Sequence, residues 1–132
     1  MSNMSFTGKY KCQSLENYEH FMKAMGMPDD LIEEKRKVDF KTIHEIEQDG
    51  KTFKYSLRSD SGDLTNEFTI GEEAELDITT DEKVKTIVHM EGNNKLVMDI
   101  NGGELVTELC GDTLTSTMLI GDISFKRTSI RI

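Results

Sequence analysis

Turn signals recur every eight to eleven residues between Phe40 and the end of the chain, and short segments of alternating side chains lie between them. Most contain Gly, Asn, Asp or Ser, which tolerate a positive φ or bond to their own backbone, as hairpin loops require. The signals are Asp49-Gly50, Ser61-Gly62, Ile70-Gly71, Thr80-Asp81, Gly92-Asn93-Asn94, Gly102-Gly103, Gly111-Asp112 and Gly121-Asp122. Eight such breaks separate nine strands, and Phe6 to Gln13 adds a tenth before a helical insert. The sequence therefore predicts an all-β fold, a ten-stranded up-and-down antiparallel β-barrel.

A barrel of this size predicts a container. An eight-stranded barrel is just wide enough to hold one small ligand, so ten strands leave more space than side chains alone fill. The chain has 132 residues, which suits a single domain with one core or one cavity. We therefore expect one interior site in a domain formed by residues 1–132.

The inserted segment, roughly residues 15–38, predicts a helix-turn-helix between the first two strands. In its first half Tyr18, Phe21, Met22 and Met25 repeat at i, i+3, i+4 and i+7, which makes one apolar stripe. Gly26 stands where a left-handed C-cap belongs, so the first helix is expected to end there.

The second helix of the insert is predicted to begin at Pro28, a residue suited to a first helical turn. Leu31, Ile32, Lys35 and Val38 give it a thin apolar face. Because the barrel wall is already continuous, an insert at this position can only cover an open end. We interpret the two helices as a lid, which is compatible with ordinary packing of the Met-rich stripe onto the barrel rim.

The charge balance disfavours two classes of partner. Twenty-five acidic residues against sixteen basic ones give a net charge of -9, and the basic residues are scattered along the chain. Nucleic-acid binding and strong attraction to anionic membranes both require clustered positive charge, so we expect neither.

The chain contains no 18-residue apolar run and no signal-peptide pattern at its start. Cys12 and Cys110 are far apart in sequence, and both fall within predicted strands. Without a secretory signal they are expected to be two reduced thiols. These features predict a cytoplasmic protein.

Arg127 is the most informative side chain of the last predicted strand. It shares its parity with Ile123, Phe125 and Ser129, so alternation places it on the apolar face. An arginine cannot lose its charge, and an interior position would demand water and a partner carboxylate, which a bound ligand could supply. The alternative is that the alternation slips near the terminus, at Ile130 and Arg131.

Neighbouring strands place uncharged polar groups at comparable positions. Ser116, Thr107 and His44 each interrupt an otherwise apolar row, and together they are expected to form a hydrogen-bonded cluster around Arg127. For His44 the alternative to a ligand contact is a hydrogen-bonded histidine of the barrel interior, or a catalytic base. No motif places a nucleophile for such a base to use.

Large apolar side chains with the inward parity are candidates to line a ligand's hydrocarbon tail. They are Phe53, Tyr55, Phe68, Met98 and Phe125. No phosphate loop, Gly-x-Ser-x-Gly, His-Glu-x-x-His or calcium loop occurs, and the histidines and cysteines lack zinc-ligand spacing. We therefore expect a binding module that needs no cofactor or metal, and we do not expect an enzyme.

An ordered series of motifs connects the chain to a known family. The motifs include Gly8-Lys9-Tyr10, Glu16-Asn17-Tyr18, Phe21-Met22-Lys23-Ala24, residues 66–73 (NEFTIGEE), residues 82–86 (EKVKT), Asn94-Lys95-Leu96-Val97, Val106-Thr107-Glu108-Leu109 and residues 121–127. On these residues the chain resembles the intracellular lipid-binding proteins, most closely their liver-type fatty-acid-binding branch, from Phe6 to Ile132. The resemblance implies a β-clam closed by a helix-turn-helix portal, with long-chain fatty acids bound in a water-filled cavity.

The resemblance also implies a set of ligand contacts. Most branches of the family hold the carboxylate with an Arg-x-Tyr pair and a second arginine, whereas this chain reads Arg127-Thr128-Ser129 and has Thr107 at the earlier position. The liver-type branch is similar, with one buried arginine assisted by hydroxyls. Arg127, Ser129 and Thr107 then carry over directly, and Ser61 corresponds to a portal serine near a second ligand.

The chain departs from the liver-type pattern at two single positions and in one segment. Ser116 stands where that branch often has Asn, His44 stands where it often has Ser, and residues 34–41 hold two additional residues. His44 would shrink the inner pocket and add a group that titrates near neutral pH.

We expect a monomeric carrier that reversibly binds long-chain fatty acids and related hydrophobic carboxylates. A bile-acid carrier of the same family is the alternative, because bile-acid-binding relatives also lack the Arg-x-Tyr pair. Other amphipathic lipids are further candidates for the interior. Contact of the lid with a membrane or a nuclear receptor during delivery would be transient, and the sequence shows no separate docking motif for it.

Overall fold

Eleven strand segments and two helices occur in the part of the chain that the computed structural model describes, residues 5–60, 62–77, 83–100 and 102–132. The strands are β1 (Gly8–Glu16), β2 (Ile43–Asp49), β3 (Thr52–Ser59), β4 (Gly62–Thr69), β5 (Glu73–Asp77), β6 (Lys83–Ile87), β7 (His89–Glu91), β8 (Lys95–Ile100), β9 (Gly103–Cys110), β10 (Thr113–Ile120) and β11 (Ile123–Arg131). The helices are α1 (Tyr18–Ala24) and α2 (Asp29–Lys41), both between β1 and β2. Ser61 and the predicted Thr80-Asp81 turn lie outside the described residues.

The strands form an antiparallel meander that returns to its beginning. One nine-stranded sheet has the order β4-β3-β2-β1-β11-β10-β9-β8-β7, and β5 pairs with β6 in a second sheet. The first and last strands are neighbours, with Tyr10 opposite Arg131 and Cys12 opposite Ser129. This pairing brings the chain ends together and confirms the predicted barrel architecture.

The two sheets meet where β4 faces β5. Here the side chain of Asn66 spans the gap, since its Nδ2 donates to the Asp77 carbonyl at 2.9 Å and its Oδ1 accepts from the Asp77 amide at 2.8 Å. A side-chain amide can satisfy one donor and one acceptor at once, as a neighbouring strand would. Asn66 therefore links strands that belong to different ladders.

The sixth predicted strand occupies two segments, β6 and β7, separated by Val88. The Val88 side chain is fully buried, while its carbonyl accepts a hydrogen bond from the Gly71 amide at 2.9 Å. The backbone at Val88 thus bonds to the turn before β5, and on either side of it β6 pairs with β5 while β7 pairs with β8. The interruption at Val88 explains why the ten predicted strands are observed as eleven strand segments.

The first strand changes its inward parity halfway. Its pairing with β11 shifts between Cys12 and Ser14, and beyond the shift Leu15 lies opposite Arg127. A bulge adds one residue to one strand and so transfers the following side chains to the other face. As a result, Tyr10 and Cys12 before the bulge and Leu15 after it all point to the protein interior, and Leu15 joins the residues beneath α1.

The lid helices differ in detail from the prediction. They begin after β1 rather than at residue 15, and α2 extends to Lys41, beyond the expected end near residue 38. Pro28 precedes α2 as its N-cap, and Gly26 has the expected left-handed φ of 91° between the helices. Among the described residues, neither helix has the length and apolar character needed to cross a membrane.

The apolar stripes of the lid are also narrower than predicted. Tyr18, Phe21 and Met22 are buried, but Met25 ends the first helix and is exposed. On α2 the prediction was wrong for Leu31 and Val38, which are 50% and 40% exposed. The buried residues of α2 are Ile32 and Asp39, seven positions apart on one face. The second helix therefore turns one apolar and one acidic side chain inward.

The described part of the molecule contains two clusters of buried side chains. The larger lies inside the barrel and contains Phe6, Tyr10, Ile46, Phe53, Phe68, Leu76, Val88, Leu96, Met98, Ile100, Leu109 and Leu114. The smaller joins the lid to β11 and contains Tyr18, Phe21, Met22, Ile32 and Phe125. Met118 packs against both clusters, so the lid and the barrel interior share a boundary.

Candidate functional site

Arg127 lies on the inner face of β11, between the buried side chains of Phe125 and Ser129. Its side chain is 19% exposed, and its guanidinium carbon stands 5.6 Å from the centre of the Phe125 ring. The alternation continues to the end of the strand, because Arg131 also points inward and contacts the buried Tyr10. The alternative, a slip of the alternation at the terminus, is therefore not seen at these residues.

The guanidinium of Arg127 has unused hydrogen-bonding capacity. Its Nε is buried and has no hydrogen-bond partner among the described residues. An unpaired buried donor is costly, and a guanidinium carries five donors, so the group favours an acceptor that brings a negative charge. Such an acceptor is what a carboxylate ligand would supply.

Two hydroxyl groups extend from Arg127 across the neighbouring strands. Ser116 is directly opposite Arg127, and Thr107 is directly opposite Ser116, so the three residues form one row across β11, β10 and β9. Both hydroxyl residues are buried, and their oxygens lie 3.4 Å apart. Hydroxyls both donate and accept, so this row can solvate a polar head group beside the cation.

Ser129 lies two residues beyond Arg127 on the same face of β11. It is 2% exposed and stands opposite Cys12 and Leu114. Burial raises the pKa of the Cys12 thiol, an effect opposed by the charge of Arg127, so the thiol stays protonated near neutral pH. The Cys12 thiol opposite Ser129 is thus neutral, and the Ser129 hydroxyl is a second polar group on the inner face of this strand.

His44 and Tyr55 form a polar pair on β2 and β3. The histidine Nδ1 and the tyrosine hydroxyl are joined by a 2.8 Å hydrogen bond, and the two rings meet edge to face at 5.8 Å. Burial, with a smaller contribution from the charge of Arg127, lowers the pKa of His44 to about 3. Burial also raises the pKa of Tyr55 to about 12. Both groups are therefore neutral at physiological pH, although the sequence suggested that His44 would titrate near neutrality.

The candidate tail-lining residues occupy both clusters. Phe53 and Phe68 stack at 5.3 Å within the barrel cluster, which also contains Met98 and is flanked by Tyr55. Phe125 lies instead beneath the lid, 5.4 Å from the Tyr18 ring and 5.3 Å from the Phe21 ring. The structure thus places Phe125 next to Arg127 and the helices, while the other four belong to the barrel interior. Ser61 lies outside the described residues.

Sequence reasoning missed the residue that contacts Arg127 from the lid. Asp39 Oδ2 lies 3.8 Å from Arg127 Nη2 and accepts a 2.7 Å hydrogen bond from the Tyr18 hydroxyl. A signal was present, because Asp39 follows Ile32 by seven residues and so shares its helical face. Tyr18 was assigned to an apolar stripe, and its hydroxyl received no role.

Two crevices open on the outside of the molecule. One, of about 530 Å³, lies between the ends of β6, β8, β9 and β10 and is lined in part by Val84, Lys85 and Ile100. The other, of about 460 Å³, lies beside α1 and is lined in part by Asn17, His20 and Arg36. Neither lining includes Arg127, Ser116 or Thr107, so neither crevice is the candidate site.

The architecture and this inner polar row define a class of protein, the β-clam with a helical lid. A model of the lipocalin / cytosolic fatty-acid binding protein family matches residues 4–132. The chain is 55% identical over 128 residues to fatty acid-binding protein 1, liver, from Ambystoma mexicanum, which covers 97% of this chain and 100% of the relative. It is 53% identical over 129 residues to the liver fatty acid-binding protein of Bos taurus, covering 98% and 100%. The chain belongs to the lipocalin / cytosolic fatty-acid binding protein family.

Solved structures agree with this assignment. The crystal structure of zebrafish ileal bile acid-binding protein complexed with cholic acid aligns with a TM-score of 0.85 at 35% identity, covering 96% of this chain and 98% of the other. A Schistosoma mansoni fatty acid binding protein in complex with arachidonic acid aligns with a TM-score of 0.84 at 24% identity, covering 99% of both chains. The second likeness supports the fold alone.

Proposed function

We propose that this protein is a cytoplasmic carrier that reversibly binds long-chain fatty acids and related hydrophobic carboxylates in its interior. One observation carries the proposal: Arg127 is a largely buried cation next to the hydroxyl row of Ser116 and Thr107, and its Nε has no hydrogen-bond partner among the described residues. A site of this kind matches a carboxylate head group. The two relatives named for fatty acids, at 55% and 53% identity, support the same ligand class.

In this proposal the head and the tail of the ligand use different parts of the molecule. Arg127 holds the carboxylate, while Ser129, Thr107, Ser116 and His44 complete the hydrogen-bond shell. The tail lies among Phe53, Tyr55, Phe68, Met98 and Phe125, where each buried methylene contributes about 0.8 kcal/mol. Ser61 is proposed to contact a second ligand at the portal.

The test compares oleate with its methyl ester on the unmutated protein. The ester keeps the tail and removes the negative charge, so we expect oleate to bind more tightly, measured by titration calorimetry. Equal affinities would show that the carboxylate role of Arg127 is wrong. Native mass spectrometry of freshly purified protein, with extraction of the bound lipid, would identify the ligand class directly.

A bile-acid carrier is the second candidate function. The zebrafish protein described as an ileal bile acid-binding protein shares 35% of its aligned residues with this chain and has the same fold. Bile acids also combine an anionic group with a large apolar surface, so Arg127 could serve them. Direct competition between oleate and cholate for one site separates the candidates, since the preferred ligand displaces the other at equal concentration.

We propose further that the protein makes and breaks no covalent bond. His44 is the residue that an enzyme hypothesis needs, and its lowered pKa leaves a weak base whose Nδ1 already contacts Tyr55. Turnover of lipid esters or epoxides that disappears in His44→Ala would contradict this. The carrier is proposed to act as a monomer, with transient membrane or receptor contact through the lid.

A further inference from the structure

The lid carries its own carboxylate to the proposed ligand cation. Asp39 lies in the last turns of α2 and is 9% exposed. Its Oδ2 is 3.8 Å from Arg127 Nη2, and its Oδ1 is 3.7 Å from the Nζ of Lys35, whose side chain is 46% exposed. A carboxylate is rarely buried to this extent unless it is paired, so Arg127 and Tyr18 account for its position.

Tyr18 holds this carboxylate in place. Its hydroxyl donates to Asp39 Oδ2 at 2.7 Å, and its ring packs edge to face on Phe125 at 5.4 Å. Burial, followed by the hydrogen bond to Asp39, raises the pKa of Tyr18 well above its usual range, so the hydroxyl remains a donor. The aspartate, the tyrosine and the arginine thus form one contact between α1, α2 and β11.

A fatty acid that reaches Arg127 meets this second anion. Arg127 can serve two acceptors, since its Nε is free of any partner among the described residues. Two carboxylates on one guanidinium nevertheless repel each other across a few ångströms, so an anionic head group must share the cation or displace Asp39. An uncharged head group can use the hydroxyls of Ser116 and Thr107 without either cost.

From this geometry we propose that Asp39 is a specificity-determining residue, which lowers the affinity of the site for carboxylates relative to uncharged lipids with the same tail. The proposal rests on the function proposed above and concerns one residue of the lid. With Asp39 present, the carrier binds amphipaths with hydroxyl head groups as well as fatty acids. An anion that displaces Asp39 from Arg127 also breaks the contact that ties α2 to β11.

The first experiment measures the dissociation constants of oleate and of oleyl alcohol for the unmutated protein and for Asp39→Asn. Removing the lid anion should tighten oleate binding by about fivefold or more, the effect of a like charge about 4 Å away at the dielectric constant of water. Oleyl alcohol should change less than about twofold. The matched control is Asp30→Asn, which removes the same charge from an exposed position on the same helix.

The outcomes separate this inference from the proposed function. If neither lipid binds the unmutated protein, the carrier function itself is wrong. If both bind and Asp39→Asn leaves the ratio of the two affinities unchanged, or alters it no more than Asp30→Asn does, the inference about Asp39 is wrong.

A second measurement uses the unmutated protein and does not depend on the variant folding. With aspartate side-chain carboxyl carbons labelled with ¹³C, oleate should shift the Asp39 signal because it competes for Arg127. Oleyl alcohol should shift the same signal much less. Equal shifts with both lipids, or no shift with saturating oleate, would overturn the proposal.

Discussion

Arg127 and Arg131 lie four residues apart on the same inward face of β11, and both place a guanidinium against an aromatic ring. The partners of Arg131 belong to strands and chain ends of the barrel: its Nη2 donates to the Tyr10 hydroxyl at 2.9 Å and to the Ser5 carbonyl at 3.3 Å. The carboxylate partner of Arg127 belongs to the lid. Arg131 therefore connects parts of the barrel to each other, whereas Arg127 connects the barrel to the lid.

The two arginines differ in the hydrogen bonds of their other guanidinium nitrogens, because the Nε of each is buried and has no hydrogen-bond partner among the described residues. Arg131 is tied by two hydrogen bonds, with the exposed Asp112 nearby at 3.8 Å from its Nε, so it stabilises the closure between β1 and β11. The polar contact of Arg127 among the described residues is the ion pair with Asp39, which at 3.8 Å is as long as the one between Arg131 and Asp112. A group that gains most from a new acceptor is suited to binding.

The largest expected effect is on ligand affinity in Arg127→Ala. We expect this variant to weaken oleate binding by about 1.5 to 3 kcal/mol, the range for loss of a charged hydrogen bond. Oleyl alcohol should be affected much less, because it brings no charge. Titration calorimetry measures both, with Lys126→Ala as the control for loss of an exposed charge on the same strand. If oleate and oleyl alcohol lost affinity to a similar extent, Arg127 would not recognise the charge of the ligand. The proposed difference between Arg127 and Arg131 would then be wrong.

For Arg131→Ala we expect a loss of stability and no change in ligand preference. This variant loses the hydrogen bonds to Tyr10 and Ser5, so the free energy of unfolding should fall by about 1 to 2 kcal/mol. The ratio of oleate to oleyl alcohol affinity should stay as in the unmutated protein. Urea unfolding and the same titrations provide the two readouts. If the affinity ratio falls as it does in Arg127→Ala, both arginines serve the ligand.

A third effect concerns the pH dependence of stability, because the charge of Arg127 also acts on His44. The pKa of His44 is about 3 in the folded protein, mainly through burial, and its ordinary value is 6.5. Between these values the unfolded chain binds the extra proton, so His44 lowers stability as the pH falls from about 6.5 toward about 3. The contribution reaches at most about 1.4 kcal/mol per pH unit.

The variant His44→Asn tests that slope. Its free energy of unfolding should depend less steeply on pH between about 6 and 4 than that of the unmutated protein. Exposed His89 provides the control, as His89→Asn should keep the original slope. An unchanged slope in His44→Asn would show that this histidine is not held neutral by the fold.

The smallest expected effect belongs to Lys35, the second cation near Asp39. Its side chain is half exposed, and its Nζ is 3.7 Å from Asp39 Oδ1. Solvent screens such pairs, so Lys35→Met should change both oleate affinity and stability by less than about 1 kcal/mol. A larger loss of oleate affinity would mean that Lys35 contacts the ligand directly. The lid would then share with Arg127 the role of holding the carboxylate.

Much of the fold was readable from local pattern. Hairpin turns and period-two alternation act over a few residues, which is why the strand order and the buried positions of Phe53, Phe68 and Met98 followed from the sequence. The division of the sixth strand at Val88 did not, because it depends on a hydrogen bond to Gly71, seventeen residues earlier. The lid faces were harder still, since Leu31 and Val38 lie on a surface that only packing defines.

The candidate site also has one part that the local pattern predicts and another part that depends on tertiary contacts. By itself the sequence predicted a shared inner face for Arg127, Ser129, Ser116, Thr107 and His44, because alternation along each strand is a local property. The tertiary structure alone decided that Asp39 and Tyr18, distant in sequence from β11, would come to Arg127. It also decided that His44 would lie deep enough to stay neutral, since a pKa depends on burial and on charges from other elements of the fold.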